Sequence, residues 1–405
     1  MSALQAPIRR SLLLLAYFAF ISLGLPDGLL GVAWPSMSGD LHVSRETIGL
    51  LLIPSTCGYL VSSIAAGFLL ARVGVGRLLA GSTALASLAL FGYGLSPAFA
   101  VTMAAALAAG FAGGAIDAGL NAYAASAFGP RHMNWLHAFF GLGVALGPLI
   151  MTAAIQYGDD WRPGYLVVAS GQAALAVAFM LTARQWTRHT ADGEHPHAVR
   201  VQPPVRQTLA MPAVWFSVLT IAVYVALEVG AGLFAYQLLT EGRGMGDAAA
   251  GVCVSLYWGS LFAGRVLQGF AAHRMDPHRV VTVSIGGMAA GAVLVAVPGP
   301  GWLAAAGLMV IGFAAAAVFP MFTLTTAERV GPAHADRTIG LQMAGAGLGG
   351  SIIPSLIGVL MGAAGVEALG PALVVLSVAL ILVYLAATRR PTSPATQDHP
   401  AGARG

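Results

Sequence analysis

The sequence predicts an all-α membrane protein, with twelve transmembrane helices in two six-helix pseudo-symmetric bundles. Three observations lead there. Of 405 residues, 57% are hydrophobic while only 20 basic and 16 acidic residues carry charge, far below the roughly 25% that a water-soluble domain displays. Mostly apolar stretches of about 20 residues, enough for a helix to cross a bilayer with its amides satisfied internally, recur twelve times along the chain. A spaced motif in the first half also returns in the second.

The same composition excludes several classes. Every one of the 20 basic residues is arginine, and no basic run exceeds two residues, so the net charge of +4 does not mark a nucleic-acid binder. Only two cysteines are present, Cys57 and Cys253; they fall inside helices two and eight and read as buried thiols, not a disulfide scaffold. His189, His195 and His197 lie close together but without cysteine, so they read as part of a solvated linker and not a metal site. No catalytic set, metal site or cofactor motif stands out. The glycine-rich runs follow no strand, so they imply no nucleotide loop.

The expected spans run from about 11–36, 46–71, 76–95, 98–127, 134–157 and 163–185 in the first half. In the second they cover about 212–239, 247–272, 279–298, 301–327, 337–362 and 367–388. The start is not a cleavable signal, because Arg9 and Arg10 precede an apolar run too long for one and Asp27 interrupts it. With both termini placed in the cytoplasm, only Arg45, Arg162 and Arg243 fall outside and the other 17 arginines fall inside. The loop acids divide seven outside to six inside, so the asymmetry belongs to arginine, as the positive-inside rule requires. The expected organisation is an N-terminal bundle over 1–186, a cytoplasmic linker over 187–210, a C-terminal bundle over 211–390 and a disordered tail over 391–405. A multi-pass protein of the bacterial inner membrane, acting as a monomer within the lipid bilayer, is the expected form.

Sliding the chain by 202 residues lays Gly67-Phe68, Arg72 and Arg77 on Gly269-Phe270, Arg274 and Arg279. These stand at the inner ends of helices two and eight, where the arginines are candidate gating residues. A slide of 206 places Gly141, Gly143 and Pro148 of helix five on Gly347, Gly349 and Pro354 of helix eleven. Parallel repeats of this kind are the arrangement of transporters whose central site is exposed to each side in turn.

The junction Gly67 to Arg77 resembles the inner-loop signature of the major facilitator superfamily, with Ala71 where that signature usually carries aspartate. Further short motifs resemble the fucose–galactose–glucose:proton symporter family. They are Gly114-Ala115-Ile116-Asp117-Ala118-Gly119-Leu120-Asn121, Leu136-His137-Ala138-Phe139-Phe140-Gly141-Leu142-Gly143, and Tyr257-Trp258-Gly259 followed by Gly264-Arg265. Asp27 is similar to the first-helix acid of the fucose branch. The superfamily likeness covers nearly the whole chain, whereas the subfamily likeness rests on these motifs. It implies that Asp117 and Asp27 carry a coupling proton beside bound sugar hydroxyls, and that the His137 motif lines a central cavity.

Three acids sit deep in predicted spans: Asp27, Asp117 and Glu228. Such a residue costs about 2.5–3.5 kcal/mol on insertion scales, so it is protonated, paired or lines water. Exchange of a proton at that depth is what a proton-coupled carrier needs. Asp27 has a structural reading too, since Pro26 could break helix one and free amides for it to satisfy. Asn121 follows Asp117 by one turn, and Tyr224 and Glu228 share a face of helix seven. An amide, a phenol and a carboxylate around one cavity suit hydroxyl recognition. Tyr257 and Trp258 offer rings that either stack on a sugar or pack a neighbouring helix. His137 and Gln342 occupy comparable depths in helices five and eleven and serve as substrate contacts or interface residues. Arg265 snorkels or pairs with Glu328 at the inner gate.

These features favour a secondary transporter that takes up a small polar solute, such as a hexose, with protons. The competing reading keeps the fold and reverses the flux, giving a proton-antiport exporter of an amphipathic compound.

Overall fold

The computed structural model describes residues 10–128, 130–186, 203–271 and 275–388. Most of the expected linker, the C-terminal tail, Arg274 and the linker histidines lie outside them. The spanning helices of the first half are α1 (Arg10–Asp40), α2 (Gly49–Val73), α3 (Val75–Gly94), α4 (Phe99–Ala127), α5 (Pro130–Gly158) and α6 (Arg162–Thr182). Those of the second are α7 (Pro212–Gln237), α8 (Asp247–Ala271), α9 (Pro277–Ala296), α10 (Gly301–Leu324), α11 (Pro332–Ala364) and α12 (Leu369–Thr388). Two short helices, Val205–Leu209 and Thr326–Val330, precede α7 and α11. Among the described residues these twelve are the helices long and apolar enough to cross a membrane.

Local chemistry explains the ends. Proline stands in the first turn of α6, α7, α9 and α11, where its missing amide has no helical partner to lose. Asp276 caps α9 by accepting the His278 amide at 3.3 Å. The turn from α2 to α3 is made by Gly74 at φ 77°, a backbone geometry that a Cβ would strain. Helices α5 and α11 begin several residues before their expected starts. Their first turns carry polar residues such as His132 and His334, which extend the helix beyond its apolar stretch. Helix α1 also exceeds expectation: it runs unbroken through Pro26 and Pro35 to Asp40. The break that would have given Asp27 freed amides does not form.

The helix neighbours repeat between halves. In the first, α1 packs on α5, α2 on α4 and α3 on α6; in the second, α7 packs on α11, α8 on α10 and α9 on α12. The repeat extends to single backbone contacts. Gly110 faces the Ser55 carbonyl, and 202 residues later Gly312 faces the Tyr257 carbonyl. Gly143 faces the Ile21 carbonyl, and Gly349 likewise meets that of Ala222. Lipid supplies no hydrophobic drive between helices, so such close approach is what holds them.

The halves meet along α5 and α8, along α2 and α11, and between α1 and α7. Gly49 faces Ser355 near one end, and Gly347 faces Thr56 and Leu60 about midway along α2. One sequence expectation about the interior needs correction: Cys57 is exposed and Cys253 only half-buried. Cys57 follows by one the half-buried Thr56 that faces α11, which places it off the packed side of α2.

Gly110→Val forces a branched side chain onto the Ser55 backbone, so melting in detergent should show a loss of about 1–3 kcal/mol. Gly81 has nothing within 4 Å of an added methyl. Gly81→Ala should therefore melt no lower than the parent, and higher by up to about 1 kcal/mol.

Candidate functional site

The acids at membrane depth lie near the junction of the two halves. Asp117 of α4 accepts a hydrogen bond from the Tyr59 hydroxyl of α2 and another from the Asn121 side-chain amide, each at 2.8 Å. The fold creates this arrangement because Gly114, one turn before Asp117, presses on the Tyr59 carbonyl and the Ser62 and Ser63 hydroxyls. Any larger residue at Gly114 would push α2 away and carry Tyr59 with it. Asp117 has no cation within ion-pairing distance among the described residues.

Asp27 lies mid-helix between Gly24 and Gly28, which seat α1 on the α5 backbone at Phe140 and Val144. It keeps accessible surface although α1 is otherwise packed here, and no hydrogen-bond or ion-pair partner is present among the described residues. Its charge acts on Tyr59 and on Tyr93 of α3. Tyr59 is 38% exposed and feels the charge of both acids. His137 of α5 is also exposed, its ring edge-on to Phe20 at 5.4 Å, and it feels both Asp117 and Arg265.

In the second half, the Glu228 carboxyl group of α7 meets the Tyr224 hydroxyl. The Tyr257 hydroxyl donates to the Glu228 backbone carbonyl at 2.6 Å. Tyr257 and Trp258 pack edge to face at 4.8 Å and fold around Gly232. Tyr224 and Tyr257 are fully buried, whereas Trp258 is half-buried. Gln342 is buried as well, with its carbonyl oxygen accepting from Thr326 at 3.2 Å and its amide nitrogen unpartnered.

The expected pairing of Arg265 with Glu328 does not occur. Glu328 is taken by His278 at 2.8 Å, while Arg265 projects its charge onto Glu228, Tyr224, Tyr257 and His137. The guanidinium therefore belongs to the site's electrostatics and not to that surface pair. Of the other candidate gating arginines, Arg72 lies over the Phe68 ring at 4.1 Å and Arg77 is exposed. Arg279 is exposed and stands 3.8 Å from Asp276. Arg274 is not among the described residues.

Several residues escaped sequence reasoning. Tyr59 is a lone phenol in an apolar span, and nothing near it in sequence marks its contact with Asp117. Arg45 and Glu241 form the single ion pair that joins the halves among the described residues. The other polar bond between them runs from the Ser255 hydroxyl to the Ala145 carbonyl at 2.7 Å. Glu241 occupies a π-helical turn, Leu238–Gly242, that continues α7. Arg329, beside α11, donates to Ser217, Thr325, Thr326 and the Phe322 carbonyl and lies 3.6 Å over the Phe322 ring. Burial lowers its guanidinium to a pKa of about 10, which leaves it charged near neutrality.

Twelve spanning helices in repeated halves, with acids and hydroxyls at membrane depth beside the junction of the halves, are the architecture of a membrane transporter. The family model of the Major Facilitator Superfamily matches residues 16–354 and 244–405. The chain belongs to that superfamily. The Glucose/mannose transporter GlcP of Bacillus subtilis is 20% identical over 355 residues, which cover 86% of this chain and 88% of that protein. Bypass of stop codon protein 6 of Saccharomyces cerevisiae is 21% identical over 277 residues. That match covers 63% of this chain and spans only 56% of the yeast protein's length. Among solved structures, a mutant of the nucleoside transporter NupG superimposes with a TM-score of 0.76 at 15% identity, covering 94% of this chain and 100% of that one.

Arg45 and Glu241 are partly exposed, so a double-mutant cycle on thermal stability should give a coupling of about 0.2–1 kcal/mol. Arg45→Glu and Glu241→Arg each place like charges together and should lower the melting temperature. The swapped double variant should recover it.

Proposed function

We propose that this transporter takes up a small polar solute, a hexose-type sugar, together with protons by alternating access. The observation that carries the reading is Asp117, which lies within a span, has no counter-cation among the described residues and is held by the hydroxyl of Tyr59 and the amide of Asn121. Asp27 is exposed and has no partner among the described residues. Protonation of Asp117 turns one of its oxygens into a donor and frees Tyr59 or Asn121 to bind sugar hydroxyls. His137, Trp258 and the Glu228–Arg265 side supply the opposite wall, with Tyr224, Tyr257 and Gln342 as further substrate contacts in other stages of the cycle. The relation to GlcP supports the sugar assignment.

In this reading both termini face the cytoplasm of a bacterium and one chain suffices for the cycle. The Arg45–Glu241 end is then the outer side, closed here by the ion pair. Arg72, Arg77, Arg274 and Arg279 guard the inner mouths. Loading occurs with the outer side open and the acid protonated; the neutralised complex rocks inward, and the proton and sugar leave to the cytoplasm. One charge moved through 100 mV supplies about 2.3 kcal/mol, somewhat under two decades of accumulation.

In proteoliposomes, Asp117→Asn should keep hexose exchange across the membrane and lose accumulation driven by a proton gradient. Accumulation by that variant would show that the coupling proton lies elsewhere. Adding hexose outside the parent vesicles should acidify the lumen. Alkalinisation by an amphipathic compound, with no response to hexose, would instead establish a proton-antiport exporter.

A further inference from the structure

We propose that Glu228 is itself a proton-binding site, occupied in this conformation, and that it forms with Tyr224 a relay that ties its protonation to helix α10. The argument is a count of hydrogens. The Tyr224 hydroxyl contacts two acceptors at once, the Glu228 carboxyl group and the Ala315 carbonyl of α10, the latter at 3.0 Å. One hydroxyl carries one hydrogen. If Glu228 is ionised, only one of the two contacts is a hydrogen bond and the other sets oxygen against oxygen inside a buried cluster. With Glu228 protonated, its O–H donates to Tyr224 and Tyr224 donates onward to Ala315, so every contact is satisfied.

The surroundings give the carboxyl group no direct counter-charge among the described residues. From α8, Tyr257 spends its hydroxyl on the Glu228 backbone carbonyl and leaves the carboxyl group alone. Arg265, also of α8, acts on Glu228 through its charge but makes no ion pair with it among the described residues. Helix α10 presents the Ala315 carbonyl and the Phe319 ring. Helix α11 packs on α7 through Gly345, Gly349 and Gly350 against Val218, Ala222 and Val225, and offers no titratable group there. Helix α1 meets α7 at Gly31 and Leu233, with Asp27 one turn away on its own helix. His137 of α5 shares with Glu228 only the influence of Arg265.

Release is then a balanced step. The Glu228 proton passes to cavity water, Tyr224 turns its single hydrogen to the carboxylate, and the Ala315 carbonyl loses its bond from α7. This carbonyl lies next to a weakened stretch of α10, because Pro320 has no amide to give the Ala316 carbonyl. Deprotonation therefore loosens α10 from α7 where α10 is least held by its own ladder. The site is separate from Asp27 and Asp117 and lies in the other half; its consequence for transport rests on the proton-coupled reading above, but its occupancy does not.

Infrared difference spectroscopy of the full chain in lipid nanodiscs, titrated from near-neutral to alkaline pH, tests this. The parent should show the carbonyl stretch of a neutral carboxylic acid in apolar surroundings, disappearing at alkaline pH. Incorporation of 13C-carboxyl glutamate should shift that band, which assigns it to glutamate without any substitution. Glu228→Gln should abolish the band, and Tyr224→Phe should retain it at a different frequency. Absence of a glutamate acid band from the labelled parent, or its survival in Glu228→Gln, would overturn the proposal. Since no substrate enters the measurement, failure to transport hexose leaves the result readable. A proton-coupled carrier whose acid bands belong only to aspartate would sink this inference and leave the transport reading standing.

Discussion

Close backbone approach at glycine is the constraint on which this structure depends. Lipid removes the hydrophobic force that would drive helices together in water, so cohesion rests on van der Waals contact, which is strong only where no side chain intervenes. Gly110, Gly143, Gly312 and Gly349 each meet a carbonyl of a neighbouring helix. The 202-residue relation between Gly110 and Gly312 shows the same solution used in both halves. Gly114 ties helix packing to the polar cluster, since the contact that seats α4 on α2 also delivers Tyr59 to Asp117.

Within each half the helices interlock in this way, but polar bonding between halves is sparse. Among the described residues one ion pair and one serine–carbonyl hydrogen bond cross the boundary. An exposed ion pair is worth about a kcal/mol or less. A rigid pair of bundles with a weakly bonded seam suits the rocking of one half against the other that parallel repeats support. Asp27 and Asp117 lie on one side of that seam and Glu228 on the other.

The fold was legible because bilayer thickness and backbone satisfaction leave a sequence few options. Twelve apolar stretches became twelve helices, and the glycine and arginine repeats foretold the duplicated packing. The differences have local causes. Helices α5 and α11 start early because polar first turns reach past the apolar stretch. Helix α1 passes through Pro26 because a spanning helix tolerates one missing bond. The Cys57 thiol is exposed because residence in a span does not say which side of the helix is packed.

The sequence by itself determined the membrane class, the number of helices, the repeat and the short roll of acids at membrane depth, since charge in lipid is costly enough to stand out in composition. Its one-turn spacings also anticipated Asn121 on Asp117 and Tyr224 on Glu228. Only the tertiary structure decided which groups meet across helices. It brought Tyr59 to Asp117, turned Arg265 from Glu328 towards the Glu228 cluster, and buried Tyr257 and Gln342. Such contacts depend on helix rotation and approach. Those are set by glycine contacts many residues away and leave no periodic mark beside the residues they join.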